Sequence, residues 1–265
     1  LYEDSQLNYY GFLYNGTTWT PLNYPGAVDT AARGIDGGNI VGHYKEASGI
    51  QYGFLYNGTS WVQLDYPGLV HNSLTATFPW DIDGTKIVGS YFDQGGTNNY
   101  RGFLFNGTTW TTLDYPGAYE TVAEGIDGSN IVGCYYVSNT PGLGCFGFLY
   151  NGTTWASLDF PGSTYTDAED IYGKYIVGRY MDTNYHSHGF LYDGTTWTTL
   201  DFPGADNTEI MDIYNNIIVG DYHDMNGNHG FMATPISSVP IPGALLLVSS
   251  GLIGLAGLRK KFRTR

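Results

Sequence analysis

The nine residues Gly11–Trp19, GFLYNGTTW, return unchanged at Gly147–Trp155 and with a single substitution from Gly53, Gly102 and Gly189. The Gly-Phe pair itself stands at 11, 53, 102, 147, 189 and 230, so the unit repeats every 41 to 49 residues. A chain written this way folds as a series of equivalent supersecondary units, each burying its apolar surface against the next. Other columns keep the same step. Asn23, Asp65, Asp114, Asp159 and Asp201 precede an aromatic and Pro-Gly, Ile35, Ile82, Ile126, Ile171 and Ile213 open a second block, and Ile-Val-Gly follows from 40, 87, 131, 176 and 218.

Each unit reads as four short strands, a to d from the axis outward. Strand a surrounds the lone Ile, strand b carries Ile-Val-Gly, strand c is Gly-Phe-Leu-Tyr, and strand d holds the Trp. Asn15-Gly16 predicts a type I′ turn between c and d, since Asn and Gly tolerate the positive φ that turn needs. Pro25-Gly26 suits a type II turn. Strands b and c are apolar at consecutive residues, which implies cover on both faces. The glycine ending each Ile-Val-Gly predicts close approach of an aromatic from the next unit.

These features describe an all-β fold, a β-propeller of five blades with four short strands each. The chain opens in mid-unit and ends on a unit without Trp. The C-terminal a and b strands are therefore expected to complete the blade whose c and d strands lie at 11–22, closing the ring by pairing of the chain ends. A larger, truncated propeller and a β-solenoid are the alternatives. The propeller domain spans 1–235 and a separate tail spans 236–265.

All 25 acids and only six of the 11 bases lie in residues 1–258, while Arg259, Lys260, Lys261, Arg263 and Arg265 crowd the end. So acidic a body excludes a nucleic-acid partner, which requires clustered Lys and Arg. Ile241–Leu258 is free of charge over 18 residues. As a transmembrane helix it would reach roughly 27 Å, close to a ~30 Å hydrocarbon core. The basic residues after it predict a cytoplasmic end and an exported body.

Val239-Pro240-Ile241-Pro242, the apolar stretch and the basic stop at Arg259, Lys260, Lys261 and Arg263 together resemble the PEP-CTERM sorting signal of Gram-negative bacteria. In that family the motif reads Pro-Glu-Pro, and Ile241 stands here where the Glu would be. The resemblance implies an exosortase-type membrane enzyme as processing partner, transient inner-membrane anchoring, and then a cell-surface or extracellular location. The repeats resemble HAF-type extracellular repeats, and His188-Gly189-Phe190 and His229-Gly230-Phe231 match their signature. That family implies a role among exopolysaccharide and biofilm components and brings no catalytic residues with it.

Little in the sequence points to chemistry. Cys134 and Cys145, the two cysteines, flank a b–c loop, and export predicts a disulfide between them. No CxxC spacing or full ligand set is present, so no metal site and no cofactor are expected, and calcium is only a weak alternative at sequences such as Asp81–Gly84. His186 and His188 are placed to share a strand face, His223 and His229 to meet across a loop. Asp36, Asp81, Asp83, Asp127, Asp170 and Asp212 repeat in columns near the axis, whereas an active site uses residues with distinct roles. The five repeated Trp residues read as packing. Trp80, assigned to an inserted loop in the longest unit, is the candidate ligand contact. The sequence therefore predicts an exported, non-catalytic surface or matrix protein, with a multivalent lectin as alternative and a propeller glycosidase behind it.

Overall fold

The computed structural model describes residues 2–3, 9–70, 72, 75–92, 99–138 and 144–234. The sorting motif at 239–242, the apolar tail and its basic stop lie outside these residues. Among the described residues no helix is long and apolar enough to cross a membrane.

The chain is an all-β propeller built from repeated antiparallel blades. It opens with a three-stranded sheet, β1 (Tyr2–Glu3), β2 (Tyr9–Tyr14) and β3 (Trp19–Leu22). Four complete blades follow. The first is β4 (Asp29–Asp36), β5 (Asn39–Lys45), β6 (Gln51–Tyr56) and β7 (Trp61–Leu64); the second is β8 (Ala76–Asp83), β9 (Lys86–Phe92), β10 (Tyr100–Phe105) and β11 (Trp110–Leu113). The third is β12 (Glu120–Asp127), β13 (Asn130–Tyr136), β14 (Phe146–Tyr150) and β15 (Trp155–Ser157); the fourth is β16 (Tyr165–Tyr172), β17 (Tyr175–Met181), β18 (Ser187–Tyr192) and β19 (Trp197–Leu200). A fifth inner strand, β20 (Asn207–Tyr214), pairs with β21 (Ile217–Asp224), which pairs with β22 (Gly227–Ala233).

The two ends do not complete one blade in the way the repeat count suggests. β21 gives its second edge to its own neighbour β22. β1 takes the edge of β2 at Tyr9 and Tyr10. Closure would have joined these same edges, so the end sheets remain separate among the described residues.

Consecutive apolar residues in strand b serve two interfaces. Ile87 packs with Phe103 and with Val41 of the preceding blade. Its neighbour Val88 points the other way, into a cluster with Ile126, Ile131 and Phe148 of the following blade. Successive strand residues face opposite sides, so the Ile87-Val88 pair staples three blades. Full burial of such a side chain contributes about 1.5–3 kcal/mol.

The loop between blades is a second recurring staple. Ala27 N donates to Tyr24 O at 3.1 Å across Pro25-Gly26, with Gly26 at φ 83°, as a type II turn requires. The turn lays Tyr24 flat on Tyr44 of the next blade, ring centroids 3.6 Å apart. Tyr66–Tyr91, Tyr115–Tyr135, Phe160–Tyr180 and Phe202–Tyr222 repeat the stack at 3.7–3.8 Å.

Two local expectations are corrected. The Asn-Gly hairpins are not type I′ turns, because Asn15 keeps a negative φ. Instead Asn15 Oδ1 accepts from the backbone N of Thr17 and Thr18 at 3.0 and 2.9 Å and from Thr17 Oγ1 at 2.9 Å. Asp193 does the same with Thr195 and Thr196, which explains why Asp replaces Asn in that copy. The Ile-Val-Gly glycines do not mainly admit an aromatic from the next blade. A Cβ on Gly133 would lie 2.0 Å from Val122 O, the carbonyl of the inner strand in the same blade.

Candidate functional site

Every inner strand breaks register at one point: between Ala32 and Ile35, Pro79 and Asp81, Ala123 and Gly125, Ala168 and Asp170, and Ile210 and Asp212. These are β-bulges, which re-aim a side chain out of the alternating pattern. The extra residues are Arg33, Trp80, Glu124, Glu169 and Met211, and all five line one cavity of about 460 Å³ on the axis. The carbonyls that demand glycine opposite them in strand b belong to the residues two positions earlier, Ala31, Phe78, Val122, Asp167 and Glu209.

Trp80 thus belongs to the bulge column of β8 and not to an inserted loop. Most of the extra length of its unit falls between Gly68 and Ala76, ahead of the strand. Its ring carries the Arg33 guanidinium at 4.6 Å from the centroid, and its Nε1 donates to Ser90 Oγ at 3.1 Å. Behind it His43 stands edge-on, ring centroids 6.2 Å away. Burial first, and Arg33 second, hold His43 down to about 3, so it is neutral. Burial likewise lowers Arg33, against the pull of Glu169 and Glu124.

The axial aspartates divide into two sets with different work. Asp36, Asp83 and Asp127 each accept the backbone N–H of a glycine in the next a–b turn, Gly84, Gly128 and Gly173, at 2.8, 2.8 and 2.6 Å. They clamp neighbouring blades around a wider mouth of about 730 Å³. Asp81, Asp170 and Asp212 line both this mouth and the bulge cavity, and so form the constriction between them. Asp81 Oδ2 and Asp170 Oδ2 accept from Ile126 N and Ile213 N at 2.9 Å. Gly34 and Gly125 make room for them, since a Cβ there would lie 2.6 Å from the aspartate Cα. Burial pushes Asp81 up to about 7, with Asp212 and Asp83 adding to the rise against two backbone bonds. Burial also raises Asp170 well above the carboxylate range, with Asp81 adding to it, and raises Asp212.

Beside Glu169 of the cavity wall, Arg179 forms ion pairs with Asp167, Glu169 and Glu209 at 3.2, 3.5 and 2.9 Å. Tyr165 OH donates to Asp167 Oδ2 at 2.8 Å. Burial works against the charge of Asp167, yet the hydrogen bond from Glu124, then Arg179 and Tyr165, hold its pKa below the usual value. Burial, with Asp167 next, pushes Glu169 up to about 8 against Arg179. Glu124 is likewise raised well above its ordinary value, again by burial and then Asp167. A carboxyl pair in contact cannot keep two charges, so Glu124 holds the proton and Asp167 the charge.

The cysteines meet but are not joined. Both are buried free thiols, and Cys145 Sγ donates to Thr166 O at 3.3 Å. The expected Cys134–Cys145 disulfide is not formed: the strand register sets Cys134 opposite Gly147, two residues past Cys145. The histidines are local pairs. His188 stacks on Tyr180 and bonds Asp201 Oδ2 at 2.9 Å, and His186 and His188 share Asp182 Oδ2 at 3.7 and 3.8 Å. His229 lies opposite Tyr222, and His223 opposite Asn228, so those two do not face each other. Trp61, Trp110, Trp155 and Trp197 pack edge-on or tilted against the strand-c Phe of their own blade, ring centroids 5.0 Å apart. Trp19, in the first sheet, is 56% exposed.

Repeated antiparallel blades round an axial channel define the class as a β-propeller. The chain matches no protein-family model, and no curated protein is similar to it in sequence. Solved propellers share the fold at low identity. The SapL1 lectin in complex with α-methyl fucoside is 14% identical with a TM-score of 0.52, over 89% of this chain and 87% of that one. A mutant Aleuria aurantia lectin in complex with Fucα1-6GlcNAc is 14% identical with a TM-score of 0.50, over 91% and 88%. Pyrococcus horikoshii acylaminoacyl peptidase is 9% identical with a TM-score of 0.56, over 84% of this chain and 39% of that one.

Proposed function

We propose that this protein is a non-catalytic carbohydrate-binding propeller displayed outside the cell, and that the axial bulge cavity is its sugar pocket. The carrying observation is that the bulge column alone puts five different side chains, Arg33, Trp80, Glu124, Glu169 and Met211, into one cavity of about 460 Å³. A pocket with an aromatic and apolar wall and a few convergent polar groups is the usual form of a small-ligand site. Trp80 supplies a flat apolar surface fixed by Ser90, and Arg33 and the carboxyls supply donors and acceptors for ring hydroxyls. The recorded fucoside complexes of two structurally similar lectins support the reading at the level of fold.

Binding without turnover is favoured by what occupies the acids. Asp81 and Asp170 are tied to backbone N–H groups and Glu169 is held by Arg179. Export through the tail at 239–265 would place the pocket among surface and exopolysaccharide glycans, with an exosortase-type enzyme as the processing partner.

The test is a binding screen of the purified chain against fucosylated, other neutral, and acidic glycans, with and without calcium, beside a broad glycosidase assay. Saturable binding without hydrolysis is expected. Hydrolysis lost in a single carboxyl variant of the cavity would overturn the non-catalytic reading, and no binding to any class would overturn the lectin reading.

A further inference from the structure

Beside Glu124 of the pocket wall the structure gathers two thiols and a carboxylate, Cys134, Cys145 and Asp167, that no part of the binding account uses. Cys134 lies on β13, Cys145 just before β14, and Glu124 at the bulge of β12, all in one blade; Asp167 reaches them from β16 of the next. One ligand atom from each of Cys134, Cys145 and Asp167 falls within 4.8 Å of the others, and all three residues are buried. Glu124 meets Asp167 within the same limit.

Two atoms in this cluster are out of contact with solvent and have no hydrogen-bond partner beyond the Glu124–Asp167 carboxyl pair itself: Asp167 Oδ1 and Glu124 Oε2. Asp167 itself is only 3% exposed. An orphan oxygen in such a place is costly unless something pairs with it. The second oxygen of Asp167 is already used by Tyr165 and Arg179, which leaves Oδ1 to the cluster. A cation in place of the proton shared with Glu124 would pair with Oδ1 directly.

We propose that Cys134, Cys145 and Asp167 form a buried site for one thiophilic divalent cation of the zinc type, with Glu124, which meets Asp167, as the candidate fourth donor. Two sulfur and two oxygen donors suit a tetrahedral ion, and zinc–sulfur bonds of about 2.3 Å with zinc–oxygen bonds of about 2.0–2.2 Å put the ligand atoms roughly 3.5–4 Å apart. Oxygen-seeking ions such as calcium and magnesium would not select a pair of thiols. Arg179 and Tyr165 serve as the outer partners that orient the ligating carboxylate. The set occurs once in the molecule, because the column of Cys134 holds His43, Ser90, Arg179 and Asp221 in the other blades, and the column of Asp167 holds Ala31, Phe78, Val122 and Glu209. Each thiol, and Glu124 where it ligates, gives up its proton to solvent as the ion binds, and the bound ion links the third blade to the fourth.

The full chain, purified under reducing conditions and stripped of metal, is titrated with Co²⁺ and followed by absorption. One equivalent per chain should produce a thiolate-to-cobalt charge-transfer band together with tetrahedral d–d bands, and Zn²⁺ should abolish both. Cys145→Ser and Asp167→Asn should each weaken Co²⁺ binding by at least about tenfold, since loss even of an outer partner costs that much. Glu124→Gln, a near-isosteric change, serves in place of Asp167→Asn if the latter does not fold. No thiolate-to-cobalt band, unchanged affinity in the folded carboxyl variant, or a Cys134–Cys145 disulfide in the chain isolated without reductant would each overturn the proposal.

Discussion

The guanidinium of Arg33 sits over the indole of Trp80, 4.6 Å from the ring centroid, and both residues are bulge positions of adjacent inner strands. A cation on an aromatic face in a partly desolvated place contributes about 0.5–2 kcal/mol. The pair therefore fixes one wall of the cavity before any ligand arrives. Arg33→Lys keeps the charge but loses the planar stack, and should weaken glycan binding while changing the unfolding free energy by less than about 1 kcal/mol. Denaturant unfolding beside a binding titration checks both halves.

The clamp aspartates should be worth more than surface acids. Asp83 Oδ2 accepts Gly128 N at 2.8 Å across two blades, and a hydrogen bond to a charged group contributes about 1.5–3 kcal/mol. Asp83→Ala should lower the unfolding free energy by about that amount, and Asp83→Asn by less. Urea unfolding monitored by tryptophan fluorescence is the measurement. A loss below about 0.5 kcal/mol, the range of ordinary surface changes, would show that the clamp is not holding the blades.

The axial carboxyls should make the fold more stable in mild acid. Asp81 rises from 3.8 to about 7 through burial, with Asp212 and Asp83 adding to the rise. Between these values the folded chain holds a proton that the unfolded chain has lost, so stability falls as pH rises from about 4 to about 7. The melting temperature should be higher at pH 5 than at pH 8 by about 5 °C or more. Asp81→Asn should flatten part of that slope. A melting temperature that rises with pH across this window would contradict the assignment.

Gly133→Ala should be among the most damaging single-methyl changes in the molecule. The added Cβ would stand 2.0 Å from Val122 O, and that carbonyl can move only if the inner strand moves with it. Overpacking of this kind costs typically 1–3 kcal/mol and occasionally more. By contrast Asn57→Asp should change stability by under about 0.5 kcal/mol, because Asp193 already makes the same turn bonds. Thermal denaturation of the two variants side by side separates these outcomes.

The blades were legible because their columns repeat: Ile-Val-Gly, the Pro-Gly turn and the c–d hairpin each have a local physical requirement that the sequence states five times. The acid columns were legible too, but not their division of labour. Asp81 and Asp83 are two residues apart, and only the fold shows that one lies at the constriction while the other clamps a glycine amide. The bulge ring escaped notice because a bulge is a two-against-one pairing, and pairing is non-local. One signal was present. Two residues before each inner-strand Ile the chain reads Arg33, Trp80, Glu124, Glu169 and Met211, unrelated side chains within otherwise repetitive strands. The meeting of Asp167 with Cys134 and Cys145 had no such signal, because it depends on how far one blade turns against the next.

The most direct test of the axial sugar pocket is glycan binding by the full chain and by Trp80→Ala, with stoichiometry determined by titration calorimetry. Trp80 lines the one cavity in which all five bulge residues converge, so a single ligand per chain is expected. Binding should fall by at least about tenfold in Trp80→Ala, as a central aromatic contact is worth 2 kcal/mol or more, while the far-ultraviolet circular dichroism stays that of a folded propeller. Several equivalent ligands per chain, or unchanged affinity in the folded Trp80→Ala variant, would contradict it and move the site to the repeated blade surfaces.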